Sequence, residues 1–595
     1  MPTTLLKVTR RVAVTSLTAA ALVACGVAPV KPEHIARGDY AAATQYLSKL
    51  IQSEMRRADV TGLSVALVDD QKIVWSQGFG FADQSTGLAA TDNTVYRVGS
   101  VSKLFAATAV MQLAEQGKLD IDQPLQTYLP EFSIKTRFAD AGPITPRNIM
   151  THHSGLPGDR LNGMWTRHPE SFTKLAATLK DDYTAYPPNF VSAYSNLGIT
   201  LLGHAVQNVS GTDYAMHMQR SLLQPMGMGS SAFALGPDPS TKAYRAGVEA
   251  EELPLRDVPA GGLNSNVVDL SRFMQMVFAD GRSNGQQIVK PQTLAEMLRP
   301  QNLGVALDLD ARFGLGWMLG GHLDGGGVVA HHAGATVLHR AELALLPQHK
   351  LGVVVLSNSA SAGGVVQLVA REALKLALQA KTGIKPAPTP TPTTTTDQPG
   401  ATSAALDLDA YAGYYDTAFG FAKISKSGDH LVAEVRGRQT ELIPVGEGRA
   451  RLQYKLLGWL PLPIPELKNT VLSRANISGR ELVIATTHNR RFVAGEKLKP
   501  VALSEHWTRR LGEYELLNGD DSPGLPKKIA LAQHEGFLAI EFDGFRAVTI
   551  APISDSEALI LGLGRGKQET IRMLSVDGSE RLAYSGYLLK KKTGP

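Results

Sequence analysis

At 595 residues the chain is too long for one hydrophobic core, and its length predicts three or four domains. Its 43% hydrophobic and 19% charged residues describe a water-soluble globular chain. The formal charge of +5 falls towards neutrality once Lys7, Arg10 and Arg11 of the N-terminal segment are set aside, which excludes charge-driven binding of nucleic acid.

Those three basic residues precede an apolar run over 12–24 that is too short to span a bilayer and ends at Leu22-Val-Ala-Cys25-Gly26. This resembles the lipobox of bacterial lipoproteins, in which the cysteine is lipidated and becomes the first residue. Cys25 is the sole cysteine of the chain, so no internal disulfide is possible. The resemblance implies a signal peptide over 1–24, a tether over 25–41 and a lipid anchor at Cys25 in the bacterial envelope. With no aspartate after Cys25, the outer membrane on its periplasmic side is preferred.

Residues 42–57 predict an amphipathic helix. Two strands follow, over 63–68 and 72–79, joined by the hairpin Asp69-Asp70-Gln71. Phe105, Ala106, Val110, Met111 and Leu113 recur at helical spacing up to Gly117, which places Ser100 at the first turn of a helix. A polar stretch from 149 to 190 predicts the wall or lid of a cleft. Helices are predicted after Asn196 and over 267–278. Three strand-like runs at 328–335, 341–346 and 351–356 precede a closing helix over 365–380. Helices on both sides of a run of antiparallel strands make this an α+β domain over 42–380, whose two ends pack together on one sheet. A Pro/Thr-rich linker covers 381–404.

The remainder is strand-rich and repeats at an offset of about one hundred residues. Tyr411-Ala-Gly-Tyr-Tyr415 matches Leu511-Gly-Glu-Tyr514, and Leu431-Val-Ala-Glu-Val435 matches Leu538-Ala-Ile-Glu-Phe542. Two antiparallel β units are predicted over 405–500 and 501–595, lipocalin-like repeats built as open barrels.

The chemistry concentrates at Ser100-Val-Ser-Lys103. A serine hydroxyl is a weak nucleophile until a base takes its proton, and a desolvated lysine one helical turn away can serve. The pattern alone is weak, since Ser171-Phe-Thr-Lys174 repeats it. Two further segments, Tyr194-Ser-Asn196 and His332-Ala-Gly334, lie downstream. Their order and spacing resemble the serine β-lactamase and penicillin-binding-protein superfamily, nearest to class C β-lactamases and DD-carboxypeptidases. Tyr96 to Ser100, Gln112 to Asp120, Thr151 to Pro157, Pro187 to Asn196, Pro259 to Leu263 and Phe313 to Trp317 extend the likeness across 42–380.

The resemblance implies Ser100 as acylated nucleophile, Lys103 as its proton partner and Tyr194 as the acid and base serving the leaving group and water. Asn196 is then expected to hold the substrate amide or carbonyl. The backbone N–H groups of Ser100 and Ala335 are expected to form the oxyanion hole, with His332 and Gly334 on the opposite wall. No cofactor and no metal are implied. Ala333 and Ala335 stand where this family commonly carries hydroxyls that contact a substrate carboxylate. That departure favours an ester or amide substrate over a β-lactam or a D-Ala-D-Ala peptide. A DD-carboxypeptidase or class C-like β-lactamase is the alternative, and a silent peptidoglycan-binding or sensor protein the second. The C-terminal β units are expected to contact peptidoglycan or protein.

Other chemistries fit less well. Gly281-Arg-Ser283-Asn-Gly285 has the spacing of a nucleophile elbow but follows a helix and lies in a polar turn. Lys381-Thr-Gly383 spells the missing triplet where no strand is predicted. Adjacent histidines at 152–153 and 331–332 point to opposite faces of an extended chain and complete no metal site.

Overall fold

The computed structural model describes residues 29–385 and 406–592, apart from 239, 429, 457–459, 463–468, 489 and 523. The signal segment with Cys25, and most of the linker, lie outside the described residues.

Helix α1 (Tyr40–Arg57) starts at Asp39, whose carboxylate accepts from the backbone N of Ala42. Strands β1 (Gly62–Asp69) and β2 (Lys72–Asp83) form the predicted hairpin, with Asp70 in the left-handed region at φ 51°. Then come α2 (Ser102–Glu115), α3 (Asn196–Ser210) and α4 (Val267–Phe278). Strands β3 (Ala330–Ala335), β4 (Arg340–Leu346) and β5 (Leu351–Ser357) precede α5 (Gly363–Thr382).

The main sheet runs β3-β4-β5-β1-β2 and ends on the two-residue strand Leu88–Ala89. It is buried on both faces, so its central strands read as continuous apolar runs rather than alternating ones. Leu63, Val65, Leu67, Val353 and Val355 face one way, into a core built with α1 and α5. Ala66, Val68, Val354 and Leu356 face the other way, towards α2, α3 and α4. The two ends of the domain thus pack side by side on one face, and the opposite face carries the helical subdomain that holds Ser100.

Both C-terminal units are closed barrels, a correction to the open form expected. In the first, eight strands from Gly413–Thr417 to Arg490–Leu498 make the ring, closed by Tyr414 opposite Leu498; the strand Leu460–Leu462 pairs outside it. In the second, Gly512–Leu516 through Tyr587–Lys591 close with Tyr514 opposite Lys591. Closure removes the unpaired edges that an open sheet exposes. The repeat seen in sequence is also a repeat of detail. The Tyr415 hydroxyl donates to the carbonyl of Tyr411 at 2.7 Å, and that of Tyr514 to the carbonyl of Arg510 at 2.9 Å.

Candidate active site

Ser100 sits one step earlier than predicted, in a 3-10 turn over Gly99–Val101 that feeds into α2. Gly99 has φ 52°, which sharpens that turn. Gly334 of β3 packs directly on it: a Cβ built on Gly334 would lie 2.0 Å from the Val98 carbonyl oxygen. A Cβ on Gly99 would in turn come within 2.7 Å of the Ala335 backbone nitrogen. The two glycines therefore bring the edge strand against the Ser100 turn, with the Ala335 amide beside it.

Lys103 lies in the first turn of α2 and is fully buried. Its Nζ stands 3.0 Å from Ser100 Oγ, 2.8 Å from Asn196 Oδ1 and 2.7 Å from the Ala260 carbonyl oxygen. Burial holds its pKa well below the ordinary lysine value, and the Arg565 guanidinium pushes it the same way, against the opposing pull of Asp159 and Asp257. A neutral amine has two N–H donors and one lone pair. In the structure Nζ donates to all three oxygens; in the neutral amine the two donors would serve Asn196 and Ala260 and leave the lone pair for the Ser100 hydroxyl.

The Tyr194 hydroxyl hydrogen-bonds the Ser100 side chain, and burial raises its pKa above the ordinary tyrosine value. Lys103 Nζ lies 4.9 Å from the centre of its ring. The ring is wedged against His152 at 4.1 Å between centroids and faces His332 at 6.3 Å. His152 is buried, with φ 62°, and its Nδ1 accepts from the Ser195 backbone N, which fixes it as a neutral ring supporting Tyr194. Ser195 caps α3 by accepting from Gly198 N at 2.9 Å, and Asn196 opens that helix. Asn196 Nδ2 donates to Asp159 Oδ1 at 2.7 Å.

His332 is buried in the opposite wall, with Nδ1 2.7 Å from the Ala333 carbonyl; burial lowers its pKa to about 3, with Lys103 adding to the effect. It is a neutral wall residue. Ala333, Gly334 and Ala335 line the same cleft of about 620 Å³ as Ser100, Tyr194, Asn196 and His332. Thr336 also lines it, although its hydroxyl already accepts from the His339 backbone N. The competing motifs sit elsewhere. Ser171 caps a surface turn with Lys174 paired to Glu170, Ser283 lies in a two-residue hairpin strand, and Lys381 ends α5 paired to Asp69.

Several site residues were not found by sequence reasoning. Arg565, from a loop of the second barrel, enters the cleft, pairs with Asp159 at 2.7 Å and stands 5.1 Å from the Tyr194 ring centre. Asp159 carries the polar chain from Arg565 to Asn196 and Lys103. Asp257 is buried beside the cleft and pairs with Arg256 through Oδ1, and its Oδ2 has no hydrogen-bond partner among the described residues. The segment from Gly158 to Arg167 is clasped by the second barrel. Gly158 N donates to Glu569 at 2.8 Å, Leu161 N to Ser585 Oγ at 2.8 Å, and Ser522 Oγ to the Trp165 carbonyl at 2.8 Å. The only sequence signal for Arg565 is a lone arginine among Gly562, Gly564 and Gly566.

The site is thus a Ser–Lys–Tyr cluster around the buried Lys103, set where the edge strand of an antiparallel sheet meets the helical subdomain. Residues 47–378 match the Beta-lactamase family model, and the chain belongs to that family. It is 21% identical over 324 residues to Protein flp of Staphylococcus aureus (strain N315), covering 53% of this chain and 63% of that protein's length. With D-alanyl-D-alanine-carboxypeptidase/endopeptidase AmpH of Escherichia coli (strain K12) it shares 25% identity over 309 residues, 50% of this chain and 78% of that one. The crystal structure of SurE with D-Leu superposes with a TM-score of 0.53 at 23% identity, covering 77% of this chain and 100% of that one. That last likeness extends past the β-lactamase domain into the C-terminal region, and it concerns fold.

Proposed function

We propose that the protein is a serine hydrolase that cleaves an ester or amide through an acyl-enzyme at Ser100. The observation that supports this reading is the fully buried Lys103, its pKa lowered by burial and its Nζ 3.0 Å from Ser100 Oγ, with the Tyr194 hydroxyl on the same serine. Lys103 takes the Ser100 proton as Oγ attacks the carbonyl carbon, and Tyr194, a protonated phenol at neutral pH, passes a proton to the departing oxygen or nitrogen. The same pair then activates water, which releases the acid and restores Ser100. The Ser100 and Ala335 amides are assigned to the developing oxyanion, a contribution of about 3–4 kcal/mol per donor in comparable sites. A binding module has no use for a buried lysine of lowered pKa on a serine.

A second reading, a peptidase acting on a free C-terminal carboxylate, is favoured by one observation: Arg565 brings a cation into a cleft whose β3 wall lacks hydroxyls at 333 and 335. Its guanidinium is already paired with Asp159, which leaves it less charge to offer and keeps the ester or amide reading first. Comparison of kcat/KM for short p-nitrophenyl esters, D-Ala-D-Ala peptides and a cephalosporin separates the two. The first reading expects the esters to lead the cephalosporin by at least about tenfold, because an incompletely paired buried carboxylate costs about 1–3 kcal/mol. It also expects Ser100→Ala to abolish turnover of all three. Peptide cleavage that outpaces ester cleavage and collapses in Arg565→Ala selects the second.

We also infer that Cys25 anchors the mature protein by lipid to the outer membrane, so that the hydrolase works in the periplasm; the position of that lone cysteine after an apolar segment supports it.

A further inference from the structure

The second barrel is closed around its eight strands, yet its interior is not filled. One end is plugged by Trp507, whose indole N–H donates to the Ser554 carbonyl at 2.7 Å. Above that plug lies a cavity of about 490 Å³ walled by inward-facing aliphatic residues such as Leu531, Ile540, Ile571 and Leu582. That size is within the range of small-ligand pockets, about 300–1,000 Å³. The antiparallel order puts the connections 517–528, 543–544, 561–569 and 585–586 at the other end, where the barrel clasps the catalytic domain. The mouth therefore does not open on bulk solvent alone. Leu161 and Trp165 lie across it, and the same two residues line the cleft that contains Ser100. Leu161 is 40% exposed, a large apolar side chain left on a polar loop where the two spaces meet. The polar groups near the mouth are turned to other tasks: the Tyr584 hydroxyl donates to Glu569 at 2.8 Å.

We propose that this cavity is the subsite for a long apolar chain of the substrate: a straight alkyl or acyl group passes between Leu161 and Trp165 into the barrel while its carbonyl sits at Ser100. This rests on the hydrolytic reading above and names its substrate class, long-chain esters or amides. The chemistry of recognition is burial of methylene groups, whose limit is roughly a fourfold gain in binding per methylene.

The test uses the full chain and p-nitrophenyl esters from acetate to dodecanoate. The expected result is a rise in kcat/KM of at least about tenfold from acetate to decanoate, and collapse of that ratio in Ile571→Trp and in Val548→Trp, which fill the cavity from different strands. Calorimetry of decanoate binding to Ser100→Ala, with and without each filling substitution, reads the cavity independently of turnover. A flat chain-length profile in the wild type, or a ratio that survives both filling variants, overturns the subsite even if decanoate binds. If no ester or amide is turned over, the hydrolytic reading falls. Decanoate heat abolished by both filling variants then still supports the apolar site, and its absence overturns that as well.

Discussion

As the proposed base, Lys103 must be neutral to act, so activity is expected to rise with pH through its pKa in the folded protein. Burial lowers that value, and Arg565 lowers it further, while Asp159 and Asp257 raise it. Removing the arginine charge therefore moves the acid limb of kcat/KM to higher pH, and removing the Asp257 charge moves it lower. A pH profile of wild type, Arg565→Gln and Asp257→Asn checks both directions; a limb that shifts the same way in both variants contradicts the assignment of Lys103 as the titrating base. The meeting of Ser100, Lys103, Tyr194 and Asn196 was legible because they lie within short phrases of fixed spacing. Arg565 was not, since it lies 406 residues from its partner Asp159 and its loop carries no phrase of its own. His152 was legible only as one of a histidine pair, because nothing local says that its ring will stack on Tyr194.

Among the elements, β3 and the nucleophile turn depend on one missing side chain. Gly334→Ala places a methyl group against the Val98 carbonyl, where the hypothetical Cβ lies 2.0 Å away, so the strand must move off the turn. Overpacking of this kind costs about 1–3 kcal/mol of stability. Displacing the Ala335 amide from an oxyanion is expected to lower kcat by about a hundredfold or more. Thermal unfolding and kcat for Gly334→Ala measure the two losses together; near-normal kcat would mean that β3 is not the oxyanion wall. The sequence carried α1, β1, β2 and α4 closely because caps, hairpin turns and apolar periodicity are local. Barrel closure was missed because it is a pairing of the first strand with the last, and no local pattern records it.

For the whole molecule, the cleft that contains Ser100 and the interior of the second barrel adjoin at Leu161 and Trp165. Arg565, Glu569, Ser522 and Ser585 all hold the 158–167 segment that walls the cleft. The lipid anchor proposed at Cys25 belongs to this scale too. Cys25→Ser is expected to leave an unprocessed or soluble protein that partitions away from outer-membrane fractions, and a mature N-terminus at any residue other than 25 would contradict the anchor. The proposed membrane attachment and the proposed apolar subsite in the barrel agree with one another, since long-chain esters concentrate at lipid surfaces.

The central claim is covalent catalysis at Ser100, and the most direct test is the intact mass of the protein after brief exposure to a panel of esters, amides and β-lactams, followed by peptide mapping. A mass increase equal to the acyl group, confined to the peptide that contains Ser100 and Lys103 and absent from Ser100→Ala, is the predicted result. Turnover with no adduct at any quench time, or an adduct that persists in Ser100→Ala, would contradict it.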